Sequence, residues 1–155
     1  MRNVEPIRWT DQGVVLLDQR RLPGEVVYIT YTDYRELAAA IKDMVIRGAP
    51  AIGVAAAMGI ALGVSHSRAR TLQELRGEFK TICETFARTR PTAVDLFWAI
   101  DRFTRTFDSL ALNAAANNLA PIKEALIEEA RQVHRERRAA DEAIGRFGAE
   151  LMPAA

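Results

Sequence analysis

A short segment, Arg47-Gly48-Ala49-Pro50, combines a guanidinium, two small residues and a proline between two stretches of helical character. The small residues would let an anionic group approach the backbone closely. Pro50 is typical of the first turn of a helix, whose N–H groups and dipole attract negative charge. Arg47 adds a guanidinium that can bond two phosphate oxygens. The alternative is structural: Gly48 ends one helix, Pro50 begins the next, and Arg47 complements a helix dipole. Spacing alone leaves both interpretations open.

A second segment, Arg90-Pro91, repeats this arrangement before the next predicted helix. Thr92 and Asp95 have the spacing of a capping box, although the cap could equally fall at Arg90. Two arginines that each precede a proline-led helix could converge on one anionic ligand. They could also mark two unrelated helix starts at the surface.

The remaining chemistry-bearing side chains do not form a recognisable site. His66 and His134 lie far apart and lack the spacing of metal ligands, so we expect no metal site. Cys83 falls on the apolar face of its predicted helix, which favours a buried, inert thiol. Asp95 and Asp101 point to different sides of a helix, so they are not an acid–base pair.

Composition limits the protein class. The chain has 155 residues, about one domain, with 21 basic and 20 acidic residues and one cysteine. The near-zero net charge argues against a protein built to bind nucleic acid, and a single cysteine excludes an internal disulfide. Residues 48–67 carry no charge but are mostly Ala and Gly, which favours a buried helix over a membrane span.

The pattern predicts an α+β fold. Residues 1–30 predict a small antiparallel sheet of about three strands, at Ile7–Trp9, Val14–Asp18 and Glu25–Thr30. Residues 31–155 predict a helical bundle, with helices over Tyr34–Ile46, from Pro50, over Thr71–Arg88, from Pro91, and over a long connector at 120–151. The buried side predicted for the last helix comprises Ile122, Leu126, Val133, Ala140, Ile144, Phe147 and Leu151. Because no element follows to cover its apolar end, the chain looks truncated.

Three segments in order carry a resemblance to a known family. They are LLDQRRLP at Leu16–Pro23, IRGAPAIGVAAAMGIALG at Ile46–Gly63, and RTRPTAVDLFWAIDR at Arg88–Arg102. Together they resemble the N-terminal part of the methylthioribose-1-phosphate isomerases, which belong to the superfamily of the initiation factor 2B regulatory subunits. The resemblance extends from Val4 to about Leu151. It implies that the two N-terminal regions form one domain and that a Rossmann-like second domain is absent from this chain.

The resemblance also implies an activity, the interconversion of 5-methylthioribose 1-phosphate and 5-methylthioribulose 1-phosphate in methionine salvage, without metal or organic cofactor. Arg47, Gly48, Ala49 and Arg90 match the substrate-binding positions of the family, which supports the anion-site interpretation. The family's catalytic cysteine and aspartate would lie beyond Ala155, so no catalytic residue is expected here and the chain alone should be inactive. Asp95 stands where the family usually has asparagine, and we expect it in the first helical turn.

Further expectations follow from the same resemblance: a cytoplasmic homodimer with a sugar phosphate as its partner, and neither nucleic acid nor membrane. Three alternatives stay open. The protein could be a non-catalytic regulatory subunit of the initiation factor 2B type, a ribose 1,5-bisphosphate isomerase, or a self-contained oligomerisation or ribose-phosphate sensing module.

Overall fold

A three-stranded antiparallel sheet and five helices share one continuous apolar core in the computed structural model. The structure describes residues 4–114 and 118–152. Residues 1–3, 115–117 and 153–155 lie outside it. The elements are β1 (Ile7–Thr10), β2 (Gly13–Leu17), β3 (Tyr28–Tyr31), α1 (Tyr34–Lys42), α2 (Ala49–Ser65), α3 (Leu72–Ala87), α4 (Val94–Leu112) and α5 (Ala120–Glu150). The predicted α+β class is confirmed.

The strands follow one another in the order β1-β2-β3. Thr10 pairs with Gly13 across the first hairpin, and Leu17 pairs with Tyr28 across the second. Gly13 has φ +140°, and a Cβ there would collide with the carbonyl oxygen of Tyr31, so this turn requires glycine. Strand β2 lies at the centre of the sheet and is buried along its whole length.

The first helix ends earlier than the sequence predicts. Helix α1 stops at Lys42 instead of Ile46, because Met44 adopts φ 57° and breaks the helical path. Val45 N–H turns back to the Ala40 carbonyl at 2.9 Å. Met44 is 47% exposed and does not belong to the buried face of α1. Gly48 therefore does not end α1.

Helix α2 is the centre of the fold, and every residue from Ile52 to Val64 is buried. Its glycines are contact points: a Cβ at Gly59 would collide with the Phe86 ring, and one at Gly63 would lie 2.9 Å from Ile82. Since Phe86 and Ile82 belong to α3, these contacts show that α3 runs antiparallel to α2. The uncharged stretch is thus a buried helix, as predicted. Within the described ranges, no helix is both long and apolar enough to cross a bilayer.

Thr71 caps α3, because its hydroxyl accepts a hydrogen bond from Glu74 N–H at 3.2 Å. The predicted start of the next helix was wrong. Helix α4 begins at Val94, and its N-cap is Ala93, which makes no side-chain capping bond. Pro91 lies in a turn three residues earlier, so the expected Thr92–Asp95 capping pair does not form.

Helix α5 runs from Ala120 to Glu150, close to the predicted 120–151, and the glycines at 145 and 148 do not interrupt it. Only the first half of its apolar stripe is buried, namely Ile122, Leu126, Ala130 and Val133. The remainder of the predicted buried side is exposed, namely Ala140, Ile144, Phe147 and Leu151. Periodicity identified the apolar face correctly, but the described elements cover only its N-terminal part.

Candidate functional site

The start of α2 presents open backbone. Gly48 is its N-cap with φ +95°, and a Cβ at this position would meet no atom within 4 Å. The first helical hydrogen bond runs from Ile52 N–H to the Gly48 carbonyl at 2.9 Å. The N–H groups of Gly48, Ala49 and Ala51 precede that bond and have no acceptor in the helix. An anion can therefore reach them without a side-chain obstacle, and Pro50 supplies no N–H.

Arg47 is exposed, and one nitrogen of its guanidinium is hydrogen-bonded within the protein. Its Nη2 donates to the Gln19 carbonyl oxygen at 2.9 Å. A guanidinium has five N–H donors, so this bond leaves the others available to a ligand. Gln19 belongs to the Leu16–Pro23 segment, which places two of the three resemblance segments side by side.

Arg90 lies in the α3–α4 connection and is half-buried. Its Nη1 atom is shielded from solvent, and no acceptor is found for it among the residues that the structure describes. A buried charged donor without an acceptor is costly. Nη1 is therefore a donor that remains available to an acceptor from outside these residues.

The structure brings the start of α2 and the start of α4 to the same end of the helix pair. A Cβ at Gly53 would lie 3.0 Å from the Asp95 carbonyl oxygen, and Gly59 contacts Phe86 near the end of α3. The connection that carries Arg90 spans residues 88–93, between these two contacts. Asp95 lies in the first turn of α4, as expected, where its charge complements the helix dipole.

Two cavities adjoin this end of α2. One of about 290 Å³ is lined by Pro50, Gly53, Asp95, Trp98 and Arg137, among others. A second of about 310 Å³ shares Pro50 and Arg137 and extends to His134. Neither cavity is lined by Arg47 or Arg90. A common pocket for the two guanidinium groups therefore stays a prediction.

Sequence reasoning missed the loop that follows β2. Asp18 is buried, and its carboxylate accepts three hydrogen bonds from Arg20. These bonds hold the pKa of the Asp18 carboxyl below its usual value, against the opposing effect of burial. An aspartate that directly follows an apolar strand and precedes two arginines was the available signal.

The other candidate residues behave as structural groups. Cys83 is 8% exposed, and burial raises the pKa of its thiol to about 12. His134 is half-buried, and burial lowers the pKa of its imidazole. In the part of the chain that the structure describes, no three His, Cys, Asp or Glu side chains are grouped to hold a metal ion.

Comparison with known proteins identifies the family. The model of the initiation factor 2 subunit family matches residues 45–154. The chain belongs to this family. The match covers α2 to α5 and the segment before α2, and therefore includes Arg47 and Arg90.

Two bacterial proteins that share one name are similar to this chain. A Koribacter versatilis protein named methylthioribose-1-phosphate isomerase is 55% identical over 97% of this chain and 41% of its own length. A Geobacter metallireducens protein of the same name is 48% identical over 95% of this chain, again 41% of its length. The chain thus spans about two fifths of these relatives.

Solved structures show the same fold. The crystal structure of 5-methylthioribose 1-phosphate isomerase from Pyrococcus horikoshii superposes with a TM-score of 0.91 at 35% identity, over 99% of this chain and 42% of that chain. The delta subunit of translation initiation factor eIF-2B from A. fulgidus superposes at 0.84 with the same identity, over 98% of this chain and 43% of that chain. Membership in the family therefore fixes the fold but does not by itself fix the activity.

Proposed function

We propose that the protein carrying this chain is an aldose–ketose isomerase that acts on 5-methylthioribose 1-phosphate, and that Arg47, Gly48, Ala49 and Arg90 bind the phosphate of the sugar. The relatives named above support the reaction. The buried Nη1 of Arg90, for which the described residues offer no acceptor, is the observation that supports the site. The same proposal places the protein in the cytoplasm as a homodimer, in methionine salvage.

The site suits a phosphate ester. A phosphate group carries close to two negative charges, and two guanidinium groups can neutralise both. The N–H groups that precede the first hydrogen bond of α2 would bond further phosphate oxygens, and the helix dipole would add to the attraction. Because Gly48 has no side chain, a ligand can approach the backbone there.

Phosphate binding has a specific use in this reaction. A phosphate on the anomeric carbon prevents the sugar ring from opening as freely as it does in an ordinary aldose. Holding that phosphate fixes C1 and C2 in place while the ring opens and a hydrogen moves from C2 to C1. The resemblance places the catalytic cysteine and aspartate beyond Ala155, and Cys83 does not match that cysteine.

Purified intact protein carrying these residues tests the proposal by conversion of 5-methylthioribose 1-phosphate, followed by ¹³C NMR of the ketose carbonyl. Ribose 1,5-bisphosphate serves as the second substrate. Turnover of the methylthio sugar alone supports the proposal. Turnover of the bisphosphate alone would instead identify the other isomerase.

A second candidate function is a non-catalytic subunit of the initiation factor 2B type, because the A. fulgidus delta subunit shares this fold at the same 35% identity as the isomerase structure. Binding of sugar phosphate without turnover by the intact protein would support this candidate and contradict the isomerase proposal.

A further inference from the structure

Asp18 is the one charged side chain that is fully buried in residues 4–114 and 118–152, with 1% of its surface exposed. A buried carboxylate is stable only when its oxygens are hydrogen-bonded. All three bonds come from Arg20: its backbone N–H at 3.1 Å and Nε at 2.8 Å bond Oδ1, and Nη2 at 2.8 Å bonds Oδ2. The carboxylate therefore closes a turn of three residues with Gln19 at its centre.

The backbone of this turn is fixed on both sides. Asp18 N–H donates to the Val27 carbonyl at 2.8 Å, and Gln19 N–H donates to the Val45 carbonyl at 2.9 Å. Val45 lies two residues before Arg47, so the turn is attached to the segment that enters α2. The Gln19 carbonyl then accepts the Nη2 hydrogen bond of Arg47 at 2.9 Å. An exposed arginine is thereby held by a carbonyl oxygen in the turn that the buried carboxylate closes.

We propose that Asp18 is a positioning residue for substrate binding, which acts through the Gln19 carbonyl to hold the Arg47 guanidinium ready for the phosphate. This inference rests on the proposed function, because it assigns a purpose to the orientation of Arg47. Holding a long side chain in its bound geometry removes part of the ordering cost from the binding step. Asp18 does not touch the ligand, and its effect appears in binding rather than in the chemical step.

The first test reads the position of Arg47 without any activity. In the 155-residue chain, the Gln19 bond should slow rotation of the Arg47 guanidinium, and this slowing is visible in ¹⁵N NMR of the arginine side chains. Asp18→Asn should abolish it. An Arg47 guanidinium that behaves identically in both proteins would overturn the proposal, whether or not the protein is an isomerase.

The second test is a double-mutant cycle in the intact protein, with 5-methylthioribose 1-phosphate as the substrate. Asp18→Asn should raise KM about 5- to 20-fold and leave kcat within about 2-fold, because it removes ground-state and transition-state binding equally. In an Arg47→Ala background, the same substitution should change KM less than about 2-fold. An equal increase in both backgrounds would mean that Asp18 is only structural. If the intact protein turns over no substrate, the proposed function fails while the NMR result still decides the role of Asp18.

Two further variants complete the design. Glu25→Gln is the matched control, because Glu25 pairs with Arg21 in the same loop at 2.7 Å but is exposed. It should change neither the NMR signal nor KM. Arg20→Gln removes the guanidinium that bonds the Asp18 carboxylate, and Arg20 is exposed. This variant takes the place of Asp18→Asn in both tests if Asp18→Asn fails to fold. It should reproduce the NMR change and the cycle, and its failure to do so would contradict the proposal.

Discussion

Gly53 in α2 packs directly on Asp95 in the first turn of α4, so that a Cβ at position 53 would lie 3.0 Å from the Asp95 carbonyl oxygen and 3.1 Å from its Cβ. This backbone-to-backbone contact aligns the starts of the two helices. It also places the two segments that carry Arg47 and Arg90 at one end of the bundle. The contact requires the absence of a side chain at position 53.

Gly53→Ala should separate the two helix starts and lower the free energy of unfolding by about 1–2 kcal/mol, the usual cost of overpacking against backbone. Thermal or urea unfolding measures this change. Gly77→Ala is the matched control, because Gly77 is an exposed glycine in α3 whose added Cβ would meet no atom within 4 Å. The control should stabilise the protein by about 0.5–1 kcal/mol through helix propensity. Equal gains in both variants would contradict the role assigned to the Gly53 contact.

Arg47→Ala and Arg90→Ala in the intact protein should each weaken binding of 5-methylthioribose 1-phosphate by about 1.5–3 kcal/mol, the value of hydrogen bonds to a charged group. Isothermal titration measures the affinities. If both arginines bond the same phosphate, the loss of binding free energy in the double variant should differ from the sum of the losses in the two single variants. Strict additivity with an unchanged stoichiometry would indicate two separate sites, and unchanged affinity in both single variants would exclude the site.

Asp18→Asn should lower the free energy of unfolding by about 1–3 kcal/mol at neutral pH, because it removes charged hydrogen bonds in a buried position. The folded-state pKa of Asp18 lies below its ordinary value of 3.8, so the unfolded chain binds the proton more tightly. The stability supplied by the carboxylate is therefore full above that ordinary value and is lost as pH falls through the folded pKa. Urea unfolding between pH 7 and pH 3 measures the free energy of unfolding of parent and variant. The difference between the two free energies should shrink only below about pH 4. A constant difference throughout would mean that the carboxylate charge is not involved.

Arg102 joins α4 to α5, with Nε on Glu129 and Nη1 on Glu136, both at 2.5 Å. The Arg102 hydrogen bond lowers the pKa of the Glu136 carboxyl to about 2 from 4.5. Arg102→Met should raise that pKa toward 4.5, although the Gln132 hydrogen bond still lowers it, and ¹³C NMR of the carboxyl measures the change. Because Glu136 is partly exposed, screening should limit the loss of stability to about 1 kcal/mol, present above pH 4.5 and absent near pH 2.

The control for this prediction is Arg105→Met, which breaks an exposed i,i+4 pair with Asp101 on the same helix. It should change the free energy of unfolding by less than about 0.5 kcal/mol. A loss as large as that of Arg102→Met would show that the α4–α5 bridge has no special role.

The 155-residue chain by itself should show no measurable conversion of 5-methylthioribose 1-phosphate. Its one cysteine is buried with a raised thiol pKa, so it cannot supply a thiolate near neutral pH. Assay of the isolated chain at high protein concentration, with the intact protein as the positive control, checks this. Turnover by the chain alone would show that its own residues carry the chemistry.

Local sequence signals predicted the elements whose causes are themselves local. Thr71 caps α3 through its own hydroxyl, and the uncharged Ala- and Gly-rich stretch forms the buried α2. Segments rich in β-branched and aromatic residues form the antiparallel sheet. The errors fell where conformation depends on contacts. The turn at Met44 needs a positive φ, which the residue type does not predict. Helix α4 begins at Val94, where its first turn packs on Gly53, and not at Pro91.

For the candidate site, the amino-acid sequence by itself determined which groups are available. They are two arginines, a glycine and a proline in the first turn of a helix. Only the tertiary structure decided that α2 and α4 begin at the same end, that Arg90 Nη1 is buried without an acceptor in the described residues, and that Arg47 is held by Gln19. The physical reason is that the Gln19 acceptor is a backbone carbonyl, which every residue possesses. Its usefulness comes from the position that the turn at Asp18–Arg20 and its backbone hydrogen bonds give it.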